Sequence, residues 1–383
     1  MDQSTIDIIK ATAPVVAAHA QEITKLFYKT MFENSAEAKQ FFNVANQSEG
    51  RQPAALANAI IAYATNIDNL GALTDAIELI AAKHCGLQVL PEHYPIVHDN
   101  LMIAVGTVLG DAVTPEIATA WSNAVNFLGK VLIDNEAKKY EAAMARSGGW
   151  RGWKNFVIDE VSDASTGVKT FTFKPEDQLV QSYEFTAGQY LSITVDLEGN
   201  GEFTSPRHYT VTSKPGEDFF QITVKHIEGG QVSSFLHNSA VGTVVRLSPP
   251  FGPFALTESS EKAGAVLLSA GIGRTPMTAF MHKLGASCIK SVHVDKNEPA
   301  VPFFSFFETQ NEGKNEYYFS ENGRPAATDI VTKLLAEVGT DRVFYVCGPT
   351  SFMMDTVHAL VAQNVPKGNI QWEAFSPQLS CPV

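Results

Sequence analysis

"AAKHCGLQVLPEHYP", residues 81–95, places a histidine on a helix face that is otherwise apolar. His84 recurs at helical spacing with three apolar residues, Ile77, Ile80 and Ala81. The pattern predicts that Gly86 ends this helix and that Pro91 begins the next one. Two interpretations of an inward-pointing imidazole stay open at this point. It is either a core histidine whose neighbours satisfy it, or a ligand.

Two later helical stripes also carry one polar residue each on an apolar face. Tyr94 begins a stripe that continues through Val97, Leu101, Val105 and Val108, and Glu136 ends one that runs through Ile117, Trp121, Val125, Leu128 and Leu132. A buried carboxylate is costly unless it has partners. One consistent arrangement has Glu136 and Tyr94 holding the second nitrogen of His84, as in metal-ligating histidines. The alternative for Glu136 is a frayed helix end in water.

The composition is that of an ordinary globular protein. The chain has 383 residues, of which 45% are hydrophobic and 18% charged, enough for two or three domains. A net charge of -13 argues against a nucleic-acid partner. No apolar run approaches the roughly 20 residues that span a bilayer, and Asp2, Asp7 and Lys10 interrupt the pattern of a signal peptide. The four cysteines are far apart and form no C-x-x-C pair, so we expect a reducing cytoplasm, with no disulfide framework and no zinc site. We also expect a monomer.

The sequence pattern changes twice along the chain. Helical periodicity ends near "RSGGWRG", residues 146–152, after which "VKTFTF", "YLSITV" and "FFQITV" alternate as strands do. From about residue 263, strands, glycine turns and helices follow one another, which is typical of a parallel sheet. We therefore predict an all-α domain at 1–146, a small β-barrel at 150–258 and an α/β domain at 262–383.

The barrel segment carries two phosphate-type signals. In "SPRHYTVTSKPG", residues 205–216, strand alternation puts Arg207 and Tyr209 on one face. An arginine can hold a phosphate with two N–H groups, and an aromatic ring can stack on an isoalloxazine. A surface arginine beside a core tyrosine is the alternative. Further on, Gly229 and Gly230 precede a short helix, and the N–H groups of a helix start bind phosphate well.

The α/β segment has glycine turns at the ends of two strands. In "LLSAGIGRTPM", residues 267–277, Gly271 and Gly273 would let the backbone approach a pyrophosphate, although Pro276 stands where a third glycine is usual. "YVCGPTSFM", residues 345–353, supplies the second turn. Ligands bind at such strand ends in open α/β sheets. Cys347 could equally be a small buried strand residue.

"FFNVANQ" at 41–47, then Gln52, then "KHCG" at 83–86 resemble a bacterial globin. With the barrel and the α/β segment behind it, the whole chain resembles a flavohaemoglobin. The resemblance implies haem b with His84 as its proximal iron ligand and Phe42 against the porphyrin. It implies a distal side made of Tyr28, Gln52 and Leu56, and it matches Tyr94 and Glu136 to the proximal network. A carboxylate on the imidazole makes it a stronger electron donor to iron.

The remainder of the chain resembles the ferredoxin-reductase family, with one FAD domain and one nicotinamide domain. The implied FAD residues are Tyr190, Arg207, His208, Tyr209, Thr210, Gly229, Gly230, Gln231, Val232 and Ser233. The implied NAD(P)H residues are Gly271, Gly273, Arg274, Thr275, Pro276, Cys347, Gly348 and Pro349. Phe375, in "WEAFSP", would lie against the flavin ring, where the nicotinamide must displace or pass it.

The resemblance implies an enzyme, a nitric oxide dioxygenase whose small-molecule partners are NO, O2 and NAD(P)H. Electrons would pass from NAD(P)H through FAD to haem, and Tyr28 and Gln52 would donate hydrogen bonds to dioxygen. One alternative is a gas-binding or sensing globin that the reductase keeps ferrous. Another is a flavin reductase with a decayed haem site.

The chain departs from the family pattern in three places. The segment between "VHVDKNEP" and "RVFYVCGP" is short, and it offers only Arg324 where a 2′-phosphate would need a basic pair, which favours NADH. Ala374 stands where the family often has cysteine. The tail "QLSCPV" runs past the usual end.

Overall fold

The computed structural model describes residues 1–35, 38–41, 51–177, 180–323 and 325–375. It divides into two compact units, Met1–Ala142 and a second that begins at Ala143. The three domain boundaries given above are finer than this division and stay a prediction. Among the described residues, no helix combines the length and the apolarity needed to cross a membrane.

The N-terminal part is helical, as the periodicity predicts. The helices span Gln3–Asn34, Ala38–Phe41, Arg51–Thr65, Thr74–Leu87, Tyr94–Leu109 and Pro115–Ala145, with short 3-10 turns at Leu70–Leu73, Pro91–His93 and Gly110–Ala112. Their apolar faces form one core that includes Phe27, Tyr28, Tyr63 and Trp121. Asp2 caps the first helix by accepting the Thr5 N–H at 2.8 Å, and Thr114 caps the last by accepting the Ile117 N–H at 3.3 Å.

The end of the His84 helix differs from the prediction. Gly86 is helical and buried, and the helix runs on to Leu87. Gln88 then takes the left-handed conformation, with φ of 61°. The Gln88 side chain donates to the Cys85 carbonyl at 2.6 Å, which offsets the steric cost of a non-glycine residue there. The prediction that Gly86 ends the helix was therefore wrong.

The middle of the chain forms a six-stranded antiparallel sheet. Its strands are β1 (Lys154–Ser165), β2 (Val168–Pro175), β3 (Tyr190–Thr194), β4 (Arg207–Thr210), β5 (Phe220–Lys225) and β6 (Val244–Leu247), in the order β4-β3-β6-β1-β2-β5. A bridge between Val211 and Ile222 joins the two outer strands, which closes the sheet into a barrel. The interior is filled by buried Phe, Ile, Leu and Val side chains. A helix, Gln231–Asn238, connects β5 to β6.

The C-terminal part is a parallel sheet with helices between its strands. The strands are β7 (Ala265–Ala270), β8 (Cys288–Asp295), β9 (Asn315–Phe319), β10 (Val343–Gly348) and β11 (Ile370–Ala374), in the order β11-β10-β7-β8-β9. The helices are Glu258–Ala263, Arg274–Leu284, Phe304–Gln310, Ala327–Val338 and Thr350–Ala362. The strand order reverses between β7 and β10, and such a switch point is where open α/β sheets bind ligands. The predicted fold class, all-α, then β-barrel, then α/β, is confirmed.

Candidate functional site

The three inward-pointing polar residues of the helical unit meet. Glu136 Oε1 lies 2.7 Å from His84 Nδ1 and accepts from the Tyr94 hydroxyl at 2.5 Å. The Tyr94 hydroxyl is also 3.2 Å from His84 Nδ1. One carboxylate oxygen of Glu136, on the helix Pro115–Ala145, thus accepts hydrogen bonds from residues of two other helices. The stripe argument predicted this arrangement.

The members of this group differ in burial, and burial keeps Tyr94 protonated. The side chain of Glu136 is 3% exposed, whereas that of His84 is 32% exposed. Burial, and then the negative charge of Glu136, raise the pKa of the Tyr94 phenol well above its usual range, so Tyr94 stays protonated and donates. A buried carboxylate that accepts two hydrogen bonds is a stable arrangement. Glu136 therefore holds Nδ1 of His84 as a donor.

The second ring nitrogen of His84 is the one left for a metal. Its Nδ1 is engaged, and no hydrogen-bond partner of Nε2 is found in the part of the chain that the structure describes. No cluster of three or more His, Cys, Asp or Glu that could hold a metal is found among those residues either. A metal with a single protein ligand must bring most of its donors with it, as the iron of a porphyrin does. These residues fit a haem.

Tyr28, Gln52 and Leu56 form a second group in the same unit. The Tyr28 side chain is hydrogen-bonded to Gln52, and its ring is buried, with 5% of the residue exposed. Burial raises the pKa of the Tyr28 phenol above its usual range, so it remains a hydrogen-bond donor. Leu56 packs against the cluster that contains Tyr28. The structure brings together these predicted distal residues. Phe42, predicted to pack on the porphyrin, lies outside the described residues.

In the barrel, the first group of predicted FAD residues lies on two paired strands: Arg207–Thr210 form β4, and Tyr190 begins β3. Tyr190 pairs with Thr210 across the two strands, and its ring is 4.6 Å from that of His208. Arg207 and Tyr209 alternate with His208, as predicted, and both are partly buried. The Arg207 guanidinium donates to the Ser205 carbonyl at 2.9 Å and to the Ser205 hydroxyl at 2.8 Å.

Two features of the barrel fit a flavin nucleotide. Thr210 Oγ1 is buried and has no hydrogen-bond partner within the described ranges. A buried hydroxyl without a partner costs free energy that a polar atom of a bound group would recover. Gly230 begins the helix Gln231–Asn238, and a Cβ there would lie 2.6 Å from the Ser233 hydroxyl oxygen, so only glycine fits. The second phosphate-type signal, Gly229, Gly230, Gln231, Val232 and Ser233, thus lies where a helix start presents its N–H groups.

The two glycine turns of the α/β part touch each other at the switch point. Cys347 on β10 pairs with Ser269 on β7. A Cβ on Gly273 would lie 2.4 Å from the Cys347 carbonyl oxygen, so the close approach of the two turns requires glycine. Gly271, with φ of 51°, would have open space beside its Cβ. Gly348 and Pro349 follow Cys347 at the same edge. This edge can accommodate a dinucleotide.

The helix that follows the first glycine turn begins Arg274, Thr275, Pro276. Arg274 is completely buried, with its guanidinium 3.8 Å above the Phe307 ring and its Nη2 donating to the Tyr317 hydroxyl at 3.1 Å. Burial lowers the pKa of Arg274 to about 10. The side chain therefore lies inside the domain, and Arg274 can meet a nucleotide only through its backbone.

Phe375 and Cys347 have opposite environments. Phe375 follows β11 and is 51% exposed, a free aromatic face beside the strand ends. Cys347 is fully buried and pairs with Glu373 across the two strands. Burial, and then the negative charge of Glu373, raise the pKa of the Cys347 thiol well above its usual range. The thiol is therefore protonated, and Cys347 is a poor nucleophile.

The sequence reasoning missed a buried pair at the end of β8. His293 is fully buried, and its Nε2 lies 3.2 Å from the carboxylate of Asp295. The signal was available, because an acidic residue about 20 positions after a strand–glycine turn is the ribose-binding residue of many dinucleotide folds.

Comparison with known proteins agrees with this architecture. Residues 25–132 match the globin family model, and residues 155–256 match the oxidoreductase FAD-binding domain. The chain is 37% identical to a flavohemoprotein of Bacillus subtilis, with 99% of this chain and 98% of that protein covered. It is 36% identical to flavohemoprotein A of Dictyostelium discoideum, with 98% of each covered.

The solved structures include a flavohemoglobin from Malassezia yamatoensis with bound FAD and heme. It superposes with a TM-score of 0.85 at 26% identity, covering 98% of this chain and 99% of that one. The full-length match, with a globin unit ahead of the reductase units, means that haem, FAD and a nicotinamide nucleotide serve one electron-transfer oxidoreductase. The chain belongs to the flavohaemoglobin family.

Proposed function

We propose that this chain is a nitric oxide dioxygenase that converts NO and O2 to nitrate with electrons from NAD(P)H. Each nitrate formed takes up one electron, so one NAD(P)H supports two nitrates. When bound, the flavin divides the electron pair of the hydride into single electrons, and the haem iron brings dioxygen and nitric oxide together. The observation that carries the proposal is the contact of His84 with a buried carboxylate.

The proximal residues give the imidazole its donor strength. Glu136 accepts a hydrogen bond from His84 Nδ1 at 2.7 Å, and the protonated Tyr94 donates to the same carboxylate oxygen and holds it in place. Negative charge on Nδ1 makes Nε2 a stronger electron donor. A globin that only stores or senses gas gains nothing from such a donor, whereas oxygen chemistry does.

The distal residues would hold dioxygen. Tyr28 offers a buried phenol O–H, Gln52 orients it through their hydrogen bond, and Leu56 supplies an apolar wall. A buried donor is effective because no water competes with it. We assign these three residues, with Tyr94 and Glu136, to catalysis and its support, and His84 to the iron.

The reductase residues bind and orient the two nucleotides. We assign FAD to Tyr190, the stretch Arg207–Thr210 and the helix start Gly229–Ser233, and NAD(P)H to the glycine turns at Gly271–Pro276 and Cys347–Pro349. Thr210 offers its buried hydroxyl to the flavin. Phe375 is exposed, and its ring would lie against a bound flavin, where the nicotinamide must displace or pass it.

The function is tested by measuring NO loss in air with the purified chain carrying haem and FAD. We expect NADH-dependent NO consumption and nitrate formation, with two nitrates per NADH. An NADH-dependent reduction of the haem without NO consumption would favour the gas-binding alternative. Absence of a Soret band after haem reconstitution would favour the reductase with a decayed haem site.

Glu136→Gln should slow electron arrival at the haem, or NO turnover, by about 10- to 100-fold, the usual effect of losing a partner of a metal ligand. The amide preserves the shape of the side chain but removes the negative charge that faces His84 Nδ1. Flavin reduction by NADH should continue at the normal rate. Stopped-flow absorbance, read separately at the flavin and Soret bands, measures both steps.

Glu141→Gln is the matched control, because Glu141 lies on the same helix but is exposed. It removes the same charge and should leave both rates unchanged. If Glu136→Gln also left both rates unchanged, the carboxylate would have no electronic role.

Arg207→Ala should weaken FAD binding and leave the Soret band unchanged, because the arginine lies in the barrel and not in the helical unit. Loss of a hydrogen bond to a charged phosphate costs about 1.5–3 kcal/mol, which corresponds to roughly 10- to 150-fold in affinity. Titration of the apoprotein with FAD, followed by flavin fluorescence, measures the loss.

Arg207→Lys should recover part of the lost FAD affinity. Arg342→Ala removes an exposed arginine before β10 and serves as the control. Unchanged affinity in Arg207→Ala would exclude the phosphate contact.

A further inference from the structure

The carboxyl end of β8 has the position of a ribose-binding strand. β8 lies next to β7 on the side away from the switch point, and all five strands are parallel. In such sheets the second strand ends beside the adenosine ribose of a dinucleotide whose pyrophosphate lies on the first glycine turn. β8 ends with Asp295, about 20 residues after the turn at Gly271–Gly273.

The carboxylate of Asp295 is held in one orientation from inside the domain. The Ser269 hydroxyl lies 2.8 Å from His293 Nδ1, and His293 Nε2 lies 3.2 Å from Asp295 Oδ2. The backbone N–H of Lys296 donates to the other oxygen, Oδ1, at 2.8 Å. Asp295 therefore presents its remaining lone pairs at the strand end in a fixed direction.

His293 acts as a neutral hydrogen-bond donor in this chain of contacts. Burial, and then the positive charge of Arg274, lower the pKa of His293 to about 4. The imidazole is consequently uncharged at physiological pH, and Ser269 can donate to Nδ1 while Nε2–H donates to the carboxylate. The neutral imidazole therefore adds no positive charge beside the Asp295 carboxylate.

The surrounding charges favour an unphosphorylated ribose. The segment 294–300, "VDKNEPA", has two carboxylates and one cation, Lys296. Glu321, after β9, adds a third carboxylate nearby, where it accepts from the Asn297 side chain at 3.2 Å. The buried guanidinium of Arg274 lies over the Phe307 ring and donates to Tyr317, and its positive charge also acts on Asp295 from inside the domain. Among these residues, three carboxylates therefore face two cations, Lys296 and Arg274.

We propose that Asp295 is the specificity-determining residue for the nucleotide. It accepts hydrogen bonds from the two hydroxyls of the adenosine ribose and repels a 2′-phosphate, so the chain uses NADH in preference to NADPH. This inference rests on the proposed function in one respect: both assume that the nicotinamide nucleotide binds at this edge of the parallel sheet.

The test compares binding of ADP-ribose and 2′-phospho-ADP-ribose to the protein carrying haem and FAD, by calorimetry, without NO. The two ligands differ only in the phosphate. We expect ADP-ribose to bind at least about 100-fold more tightly than 2′-phospho-ADP-ribose. The reason is that the 2′-phosphate would lie against the carboxylate of Asp295, and repulsion between like charges weakens binding by more than one factor of ten. In Asp295→Asn, which keeps the shape and loses the charge, this ratio should fall at least about tenfold. The kcat/KM ratio for flavin reduction by NADH and NADPH should change in parallel.

Glu337→Gln is the matched control. Glu337 pairs with Lys290 near the other end of β8, so the change removes one carboxylate from the same domain, away from the strand end. It should leave the ligand ratio unchanged. Equal binding of the two ligands to the unaltered protein, or an unchanged ratio in Asp295→Asn, would overturn the proposal. Because no NO is present, failure of dioxygenase activity would leave the binding result intact.

Lys296→Gln tests the rival hypothesis that the edge binds NADPH. If Lys296 attracts a 2′-phosphate, the unaltered protein binds 2′-phospho-ADP-ribose better, and this variant loses that preference. That outcome would assign the edge to NADPH and contradict the role of Asp295.

Discussion

His84→Ala yields a folded protein that retains FAD but loses normally bound haem. We expect haem occupancy to fall at least roughly tenfold, the effect of losing about 1.4 kcal/mol of binding free energy. The physical reason is that, of the histidines in the described part of the chain, only His84 combines an available ring nitrogen with support from two other helices. Haem content is measured by the ratio of Soret absorbance to flavin absorbance in the same sample.

The variant also leaves the buried Glu136 with one donor fewer, which lowers the stability of the helical unit. His84→Ala/Glu136→Gln removes this problem, because the neutral amide no longer needs the imidazole. The double variant should be as stable to heat as the haem-free form of the unaltered chain, and it should not bind haem normally. Loss of haem in a folded double variant separates ligation from general stability.

Two further measurements sharpen the result. Free imidazole added to His84→Ala should restore a Soret band by binding in place of the lost ring. His98→Ala removes a partly buried imidazole of the same unit, whose Nε2 lies within hydrogen-bond distance of the Ser122 hydroxyl, at 2.9 Å. This control variant should keep its haem. Unchanged haem content in His84→Ala would exclude this residue as the iron ligand.

The helical stripes carried enough information to predict the proximal group. Helical periodicity fixes which residues share a face, so one polar residue on each of three apolar faces had to find partners inside. The structure joins those residues through a single oxygen of Glu136. The change from helical to strand periodicity, and then to strand–glycine–helix units, likewise predicted the order of the three architectures.

Contacts that depend on sheet register, or on rings supplied by other segments of the α/β part, were beyond prediction. Nothing local in "GIGRTP" shows that Arg274 is enclosed by Phe307 and Tyr317, since those rings come from another helix and another strand. The pairing of Ser269, His293 and Asp295 likewise depends on the β7–β8 register. The helix end at Gln88 was missed because a side-chain contact stabilises a conformation that glycine usually takes.

Tyr28→Phe lowers oxygen affinity roughly 10- to 150-fold, mostly through faster dissociation. Dioxygen on the distal side carries partial negative charge, and a hydrogen bond to a charged group contributes about 1.5–3 kcal/mol. The buried, protonated phenol of Tyr28 is the donor, and Gln52 orients it. Phenylalanine keeps the ring, so its contact with the Phe27 ring, 4.8 Å away, and the haem content should be unchanged. Flash photolysis and stopped-flow mixing give the two rate constants.

Carbon monoxide and a second tyrosine provide the controls for this result. Carbon monoxide develops less negative charge, so its affinity should fall much less than that of oxygen. Tyr63→Phe makes the same chemical change at a buried tyrosine whose hydroxyl donates to the Ala124 carbonyl at 2.7 Å. It should cost about 1 kcal/mol of stability and leave oxygen binding unchanged. Two outcomes in Tyr28→Phe would contradict the donor role and leave Tyr28 as a packing residue. One is an equal loss of affinity for oxygen and carbon monoxide. The other is a change in oxygen dissociation of less than about threefold, which is well below the tenfold change that about 1.4 kcal/mol would give.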